Sequence, residues 1–227
     1  MTFNRYLYLS NYIRKVFYLI VLIGYSSVYA GSYEDFFKAI KENNAAAVTA
    51  LLQRGFDVNA VNPSGEHGLL LAFREPHLKV AQALMAWPKV AAESRSAQDE
   101  SPLMLAALHG LLPECQTLIR LGADVNKPGW APLHYAATRG HLAVMSLLLD
   151  EHAYIDAASP NGTTPLMMAA HYGSPSAVKL LLEADADPTL MNNLGLNAFD
   201  FAQRNNQLES AAIISAFIRG RQPMGVW

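Results

Sequence analysis

The residue types that most often do chemistry are sparse in this chain of 227 residues. Its seven histidines invite a metal-binding interpretation, because imidazole is the commonest metal ligand. The sequence has no Gly-rich phosphate loop, no H-E-x-x-H, no G-x-S-x-G and no paired cysteines, since Cys115 is its only cysteine. We therefore predict no catalytic residue, no cofactor, no metal site and no internal disulfide.

One catalytic alternative stays open in an irregular part of the chain. Glu75, His77 and Glu93 lie between residues 65 and 97, where the regular pattern described below is weakest. A polar pocket near these three residues, with an acid or base of perturbed pKa, would indicate a cryptic hydrolase or a ligand site.

The elements that would position such residues are short helix pairs. Within residues 131–156, Pro132 suits a first helical turn and Gly140 suits a helix end, where it can take the left-handed conformation. A second apolar run then starts at Leu142. Two helices of this length cannot bury their apolar faces alone, so they need copies of themselves on either side.

The chain supplies those copies at a regular period. The tetrapeptides SPLM, APLH and TPLM open three of the first helices, and GFDVN and GADVN follow two of the second helices. The position of Leu133 recurs at spacings of 33, 34, 30, 33 and 33 residues, as Phe36, Leu69, Leu103, Leu166 and Phe199.

This pattern resembles the ankyrin repeat over nearly the whole chain beyond residue 31. The resemblance implies an all-α solenoid of about six helix-turn-helix repeats, joined by short β-hairpin fingers. It places one repeat domain at 31–219 and a flexible tail at 220–227. The repeats are about 32–61, 65–97, 99–127, 129–158, 162–191 and 195–219.

Several positions depart from the repeat pattern. Pro76 stands where the second repeat should have its inter-helix glycine, so we expect altered geometry there. The joint from 126 to 132 is three residues short and carries Trp130. His152 and Asp185 replace the glycine that usually follows the second helix, at a cost of about 1 kcal/mol each if they are left-handed.

The resemblance also assigns roles to side chains. His134 and His141 match scaffold histidines, while His109 and His171 should lie on the inner, concave face. Partner contacts in this family come from the finger positions and from the two variable positions before the inter-helix glycine. Carried over by position, the predicted partner-binding residues are Glu66, Arg74, Glu75, Glu100, Leu108, His109, Trp130, Thr138, Arg139, Thr163, His171, Tyr172 and Arg204.

The first thirty residues differ from the rest of the chain. They contain Arg5, Arg14 and Lys15 but no acid, followed by an apolar run at 16–24 and the small residues Ser27 to Ala30. This pattern predicts a signal peptide at 1–30 that is cleaved after Ala30, with no stable membrane insertion afterwards. The remaining chain has a net charge of −5, which argues against a nucleic-acid partner.

These observations together predict an exported, non-catalytic and monomeric protein that binds another protein through its concave face and finger tips. Exported ankyrin proteins look mostly bacterial, which favours a periplasmic or secreted location. An immunity protein or an enzyme-stabilising partner is the favoured role. The alternatives are a secreted effector that binds a host protein and the hydrolase or ligand site named above.

Overall fold

The computed structural model describes residues 31–172 and 174–221, and within these ranges the chain forms twelve helices. The predicted signal peptide lies outside the described residues. In chain order the helices are α1 (31–41), α2 (Ala45–Gln53), α3 (Gly68–Arg74), α4 (Leu78–Met85), α5 (Pro102–Leu108), α6 (Leu112–Arg120), α7 (Pro132–Arg139), α8 (Leu142–Asp150), α9 (Pro165–Tyr172), α10 (Pro175–Glu183), α11 (Ala198–Arg204) and α12 (Leu208–Arg221).

The helices stack as six antiparallel pairs in two layers. The odd-numbered helices form an inner layer, in which α3, α5, α7, α9 and α11 each contact the next, and the even-numbered helices form an outer layer in the same order. At the start of the stack, Phe36 and Ile40 of α1 pack against Gly68 so closely that an added Cβ would meet Ile40 at 2.7 Å. The predicted all-α solenoid of six repeats is confirmed.

The core runs between the two layers as columns of equivalent side chains. One column comes from the middle of each outer helix, and every member is at most 7% exposed. Each leucine therefore packs against neighbouring repeats as well as its own, which supplies the burial that a single helix pair lacks. The members of this column are Leu51, Leu84, Leu118, Leu148, Leu181 and Ile214.

Residues that stand where the repeat usually has a glycine take the left-handed backbone conformation. His152 and Asp185 follow α8 and α10 with φ of 65° and 71°, so both take the left-handed conformation to which the cost given above applies. In the irregular second repeat, Lys89 takes the equivalent conformation with φ of 63°. At the turn before α4, Glu75 lies at φ −112° and ψ 108°, an extended conformation that the following Pro76 favours.

The end of the stack extends slightly beyond the predicted repeat. Helix α12 continues through Gly220 to Arg221, whose guanidinium pairs with Asp185 and lies 4.4 Å from the ring centre of Phe217. Two residues that the sequence places in the tail are therefore helical. The rest of the predicted tail, 222–227, lies outside the described residues.

Candidate partner-binding groove

The joints between repeats project as fingers beside the inner layer. Within the described residues the only β pairing is an isolated bridge between Val61 and His67, so the fingers are tight turns rather than extended hairpins. In four of the five joints, a backbone N–H···O=C bond of 2.9–3.0 Å spans four residues and closes the turn. The paired residues are Asn62 and Glu66, Ser96 and Glu100, Ser159 and Thr163, and Asn192 and Leu196.

A side-chain oxygen at the start of each finger holds the turn together. The Oδ1 atom of Asn62 accepts from the N–H groups of Ser64 and Glu66, and Ser96, Ser159 and Asn192 make comparable bonds. Glu66, Glu100 and Thr163, which we predicted as finger positions, thus lie where the chain leaves each turn. The tips are two or three residues earlier.

The one joint without this turn is the third along the chain, between α6 and α7. Lys127 is almost fully buried and pairs with Asp99 of the previous finger, while Gly129 has a φ of 79° that lets the chain reverse within a few residues. The ring of Trp130 therefore lies against the inner layer, 5.3 Å from the ring centre of His134 in an edge-on arrangement. The shortened joint replaces a projecting finger with an aromatic surface.

His134 is a scaffold residue, as the sequence predicts. It is fully buried on α7, where its Nδ1 accepts from the Ala131 N–H at 3.1 Å. The proton must then be on Nε2, which lies 2.9 Å from the Thr163 carbonyl oxygen of the next finger. Burial lowers the pKa of His134 despite these hydrogen bonds, so the ring stays neutral and serves to join two repeats.

Trp130 lies between two adjoining cavities on the inner face. A smaller cavity of about 220 Å³ and a larger one of about 390 Å³ share Trp130 and Met168, and together they form one continuous surface that we call the aromatic groove. Its walls are mostly aromatic, aliphatic or amide side chains. The lining residues include Leu108, Trp130, Tyr135, Met168, Tyr172 and Arg204.

The aromatic groove unites more than half of the predicted partner-binding residues. Six of them line it and expose part of their side chain: Leu108, Trp130, Thr138, His171, Tyr172 and Arg204. Tyr172 is 55% exposed and lines the larger cavity together with Trp130, so the two aromatic side chains belong to one surface rather than being scattered singly. Thr163 also lines the groove but is only 3% exposed, and its backbone is committed to Ser159 and His134.

The remaining predicted residues lie elsewhere. Arg74 joins Glu66 and Glu100 in one ion-pair cluster, with 3.1 Å between Arg74 Nη2 and Glu100 Oε2. Burial alone would raise the pKa of Glu66, but hydrogen bonds from Arg74 and Asn62 outweigh it and lower the pKa. Glu75, His109 and Arg139 line none of the cavities described above for the aromatic groove.

Of the three residues proposed for a hydrolase site, Glu75 and His77 lie together, with 3.7 Å between Glu75 Oε2 and His77 Nε2, but Glu93 does not join them. Glu75 and His77 line a groove of about 910 Å³ beside α1, and His77 Nδ1 lies 2.9 Å from the Ile40 carbonyl oxygen. Glu93 does not line that groove, because it binds the backbone N–H of Asp124 at 2.8 Å in the next joint. Burial raises the pKa of Glu93, but the residue has a scaffold partner.

Glu93 belongs to a ladder of side chains that the sequence analysis missed. At the end of each of the first four repeats, one side chain accepts from a backbone N–H of the following repeat. Asn126 also donates, so that it forms two bonds of 2.7 Å, to the Tyr154 N–H and the His152 carbonyl. The four rungs are Asn59 to Ala91, Glu93 to Asp124, Asn126 to Tyr154 and Asp156 to Asp187.

We expect Asp156→Asn to stabilise the protein at pH 7 by about 0.5–1.5 kcal/mol, the typical value of one added hydrogen bond. Burial raises the pKa of Asp156, with the nearby Asp187 charge adding to the effect. An asparagine removes the desolvated charge and can donate to the Asp185 carbonyl, as Asn126 does to His152. Urea unfolding followed by circular dichroism measures the difference.

The pH dependence follows from the sign of this shift. A carboxyl group with a raised folded pKa stabilises the fold fully below its unfolded pKa, and that stability is lost as pH rises through the folded pKa. The advantage of Asp156→Asn should therefore shrink as pH falls from 7 to about 4. Asp150→Asn, on the exposed side of α8, controls for loss of a surface charge. An advantage that is equal at both pH values would contradict the desolvated-carboxylate explanation.

The residues that the structure describes show neither a metal cluster nor a membrane-spanning helix. No group of three or more His, Cys, Asp or Glu side chains is placed to hold a metal ion in this part of the chain. None of its helices is long and apolar enough to cross a membrane. The buried Cys115 packs as a small apolar side chain, since burial raises the pKa of its thiol to about 12.

The fold and the groove define a class of protein: a solenoid of stacked helix pairs whose inner layer and fingers form a continuous surface. The family model "Ankyrin repeats (3 copies)" matches residues 36–128, 69–161, 103–192 and 133–216 in overlapping sets. The chain belongs to the ankyrin repeat family. Repeats of this family are generally protein–protein interaction modules.

Several curated proteins are similar to this chain. It is 28% identical over 189 residues to the ankyrin repeat and KH domain-containing protein mask-1 of Caenorhabditis elegans, covering 82% of this chain and 7% of that protein. It is 32% identical over 145 residues to the nuclear factor NF-kappa-B p105 subunit of Mus musculus, covering 61% of this chain and 15% of that protein. The chain thus spans 15% or less of the length of these relatives.

Proposed function

We propose that this protein binds a partner protein through the aromatic groove and catalyses no reaction itself. The observation that carries the proposal is the continuous surface around Trp130 and Tyr172, where aromatic side chains are exposed although the scaffold does not need them. Aromatic and arginine side chains are enriched among the residues that dominate binding energy at protein interfaces. Of the three candidate hydrolase residues, by contrast, Glu93 lies outside the groove that Glu75 and His77 line.

We also propose that the protein acts after export, in the periplasm, either as an immunity protein or as a stabilising partner of a periplasmic enzyme. The support is the sequence pattern of residues 1–30 alone. Fractionation of cells that produce a C-terminally tagged chain tests the location. Recovery in the medium would favour an effector instead, and a toxin gene next to this one would favour immunity.

The binding proposal is tested by affinity capture from the periplasmic fraction, identification of the captured protein by mass spectrometry and calorimetric titration of the purified pair. We expect the double variant Trp130→Ala/Tyr172→Ala to lose at least about tenfold in affinity, which corresponds to about 1.4 kcal/mol. Circular dichroism should show the same helical content as the parent chain.

Tyr154→Ala is the matched control for this variant. Tyr154 is 68% exposed, but it lies at the end of the fourth repeat beside the ladder rather than in the aromatic groove. It should leave the affinity unchanged. Full retention of binding by the double variant would place the interface elsewhere, and turnover of a substrate by the purified protein would overturn the non-catalytic assignment.

A further inference from the structure

The side chains that line the aromatic groove include a positive charge but no negative one. None of the side chains that line it is an Asp or a Glu, and the only arginine or lysine among them is Arg204. Arg204 is exposed at the end of α11, and Arg139 is exposed at the end of α7 directly after Thr138, which lines the groove. Neither arginine forms an ion pair with any residue in the described ranges.

Two arginines of the preceding repeats, in contrast, have carboxylate partners. Arg74 is neutralised by Glu66 and Glu100, and Arg95 lies against Glu93 with Asp99 and Asp124 close by. These arginines have carboxylates of this chain as partners, so they offer little to a ligand. Among the arginines at the ends of the inner helices, Arg74 is therefore neutralised, whereas Arg139 and Arg204 beside the aromatic groove have no carboxylate partner in the described ranges.

The repeat register shows how this asymmetry arises. Two positions on each inner helix precede the turn to the outer helix, and equivalent positions form two columns along the inner face. The first column contains no acid in any repeat: Lys41, Arg74, Leu108, Thr138, His171 and Arg204. The second column begins with acids and then loses them: Glu42, Glu75, His109, Arg139, Tyr172 and Asn205.

The smaller cavity of the groove indicates the apolar part of the ligand. It has a volume of about 220 Å³. Leu108, Tyr135 and Met168 line it, with Trp130 at the boundary to the larger cavity. A cavity of this size and lining suits one large apolar side chain inserted from a partner's surface.

From the charge and the cavity together, we infer that the partner presents an acidic segment, in which carboxylates flank at least one aromatic or large aliphatic side chain. The apolar side chain enters the smaller cavity beside Trp130, and the carboxylates reach Arg139 and Arg204. This inference rests on the proposed function, because it names the chemistry of the ligand for the same groove. Charge complementarity of this kind mainly sets specificity and association rate.

The test selects random linear peptides, displayed on phage, against the immobilised protein and then measures the binding of the enriched peptides as synthetic fluorescent ligands. We expect enriched peptides to contain more Asp and Glu than Lys and Arg, together with an aromatic or large aliphatic residue. Their affinity should fall at high salt, because screening weakens exposed ion pairs. It should fall at least about tenfold in the variant Arg139→Glu/Arg204→Glu.

The control is Arg54→Glu/Arg120→Glu, which changes the net charge equally but at the ends of the outer helices α2 and α6. It should keep the parent affinity to within about twofold. Peptides that need Trp130 and Tyr172 but show no acidic excess, or tolerate the reversal at Arg139 and Arg204, would overturn the inference and leave the proposed function intact. Peptides that bind independently of Trp130 and Tyr172, or a selection that enriches none, would count against both.

Discussion

Leu148→Ala is expected to lower the free energy of unfolding by about 2–5 kcal/mol, the usual range for emptying a buried leucine site. Leu148 is fully buried on α8, in the column that includes Leu118 and Leu181 of the neighbouring repeats. The cavity would therefore open at a repeat interface, where a solenoid has no other core to compensate. Equilibrium urea unfolding, monitored by circular dichroism, measures the change.

Leu142→Ala on the same helix is the matched control. Leu142 is 38% exposed, so its truncation removes the same atoms with much less loss of burial, and we expect a change well below that of Leu148→Ala. Equal urea midpoints for the parent chain and Leu148→Ala would show that the helix register described here is wrong.

Gly110→Ala is expected to destabilise the protein by about 2–3 kcal/mol, through two separate causes. Gly110 has a φ of 69°, which an alanine adopts only with strain, and its added Cβ would lie 2.5 Å from Nδ1 of His141. His141 cannot move away freely, since its Nε2 is bonded to the Leu108 carbonyl at 3.0 Å. The clash therefore breaks a bond that joins two repeats.

Gly122→Ala separates the two causes. Gly122 has a φ of 90°, but nothing lies within 4 Å of the position of its Cβ, so only the backbone strain applies. Its free energy of unfolding should fall by less than that of Gly110→Ala. Adding His141→Ala should cost less in the Gly110→Ala background than in the parent chain, because the two residues are coupled. Additive changes would contradict the clash.

The layered fold was predictable from the sequence because the same pattern of proline and apolar residues recurs in successive repeats. Leu103, Leu133 and Leu166 follow a helix-opening proline at nearly equal spacing, and the structure buries all three completely. The histidines were predictable for the same reason, since His134 and His141 occupy fixed positions in the repeat. Both bind backbone carbonyls of the neighbouring repeats.

The ladder and the finger turns were not predictable in the same way. Glu93 is a rung, but the second repeat has lost the GADVN sequence that would mark its position. The finger turns begin with an Asn, such as Asn62, or with a Ser, such as Ser96. These side chains accept the same hydrogen bonds, but because the residue type differs, the turns leave no repeated motif in the sequence. The signal that both turns share is a side-chain oxygen, on Asn62 or Ser96, three residues before a Gly or an Asp.

The groove itself was predicted only in part. Leu108, Trp130 and Tyr172 were identified from repeat positions, but Met168 and Phe201 were not, because they look like ordinary core residues of an amphipathic helix. Both are half-buried in the structure, where Met168 lines the groove with Trp130 and Phe201 lies against His171. Thr163 was identified by position although the fold buries it.

The ladder ends before the last repeat, and this has a consequence for amide hydrogen exchange. Thr189 stands at the rung position of the fifth repeat, but its hydroxyl bonds to Asp187 instead of to the sixth repeat. Helices α11 and α12 are therefore joined to the stack by packing and by side-chain contacts such as the Arg221–Asp185 pair and the 2.9 Å hydrogen bond between Asn205 and His171. Backbone amides of α11 should consequently exchange with deuterium faster than the Tyr154 amide, which opens only when a central joint separates. Since α11 carries Arg204, a ligand in the aromatic groove should slow that exchange.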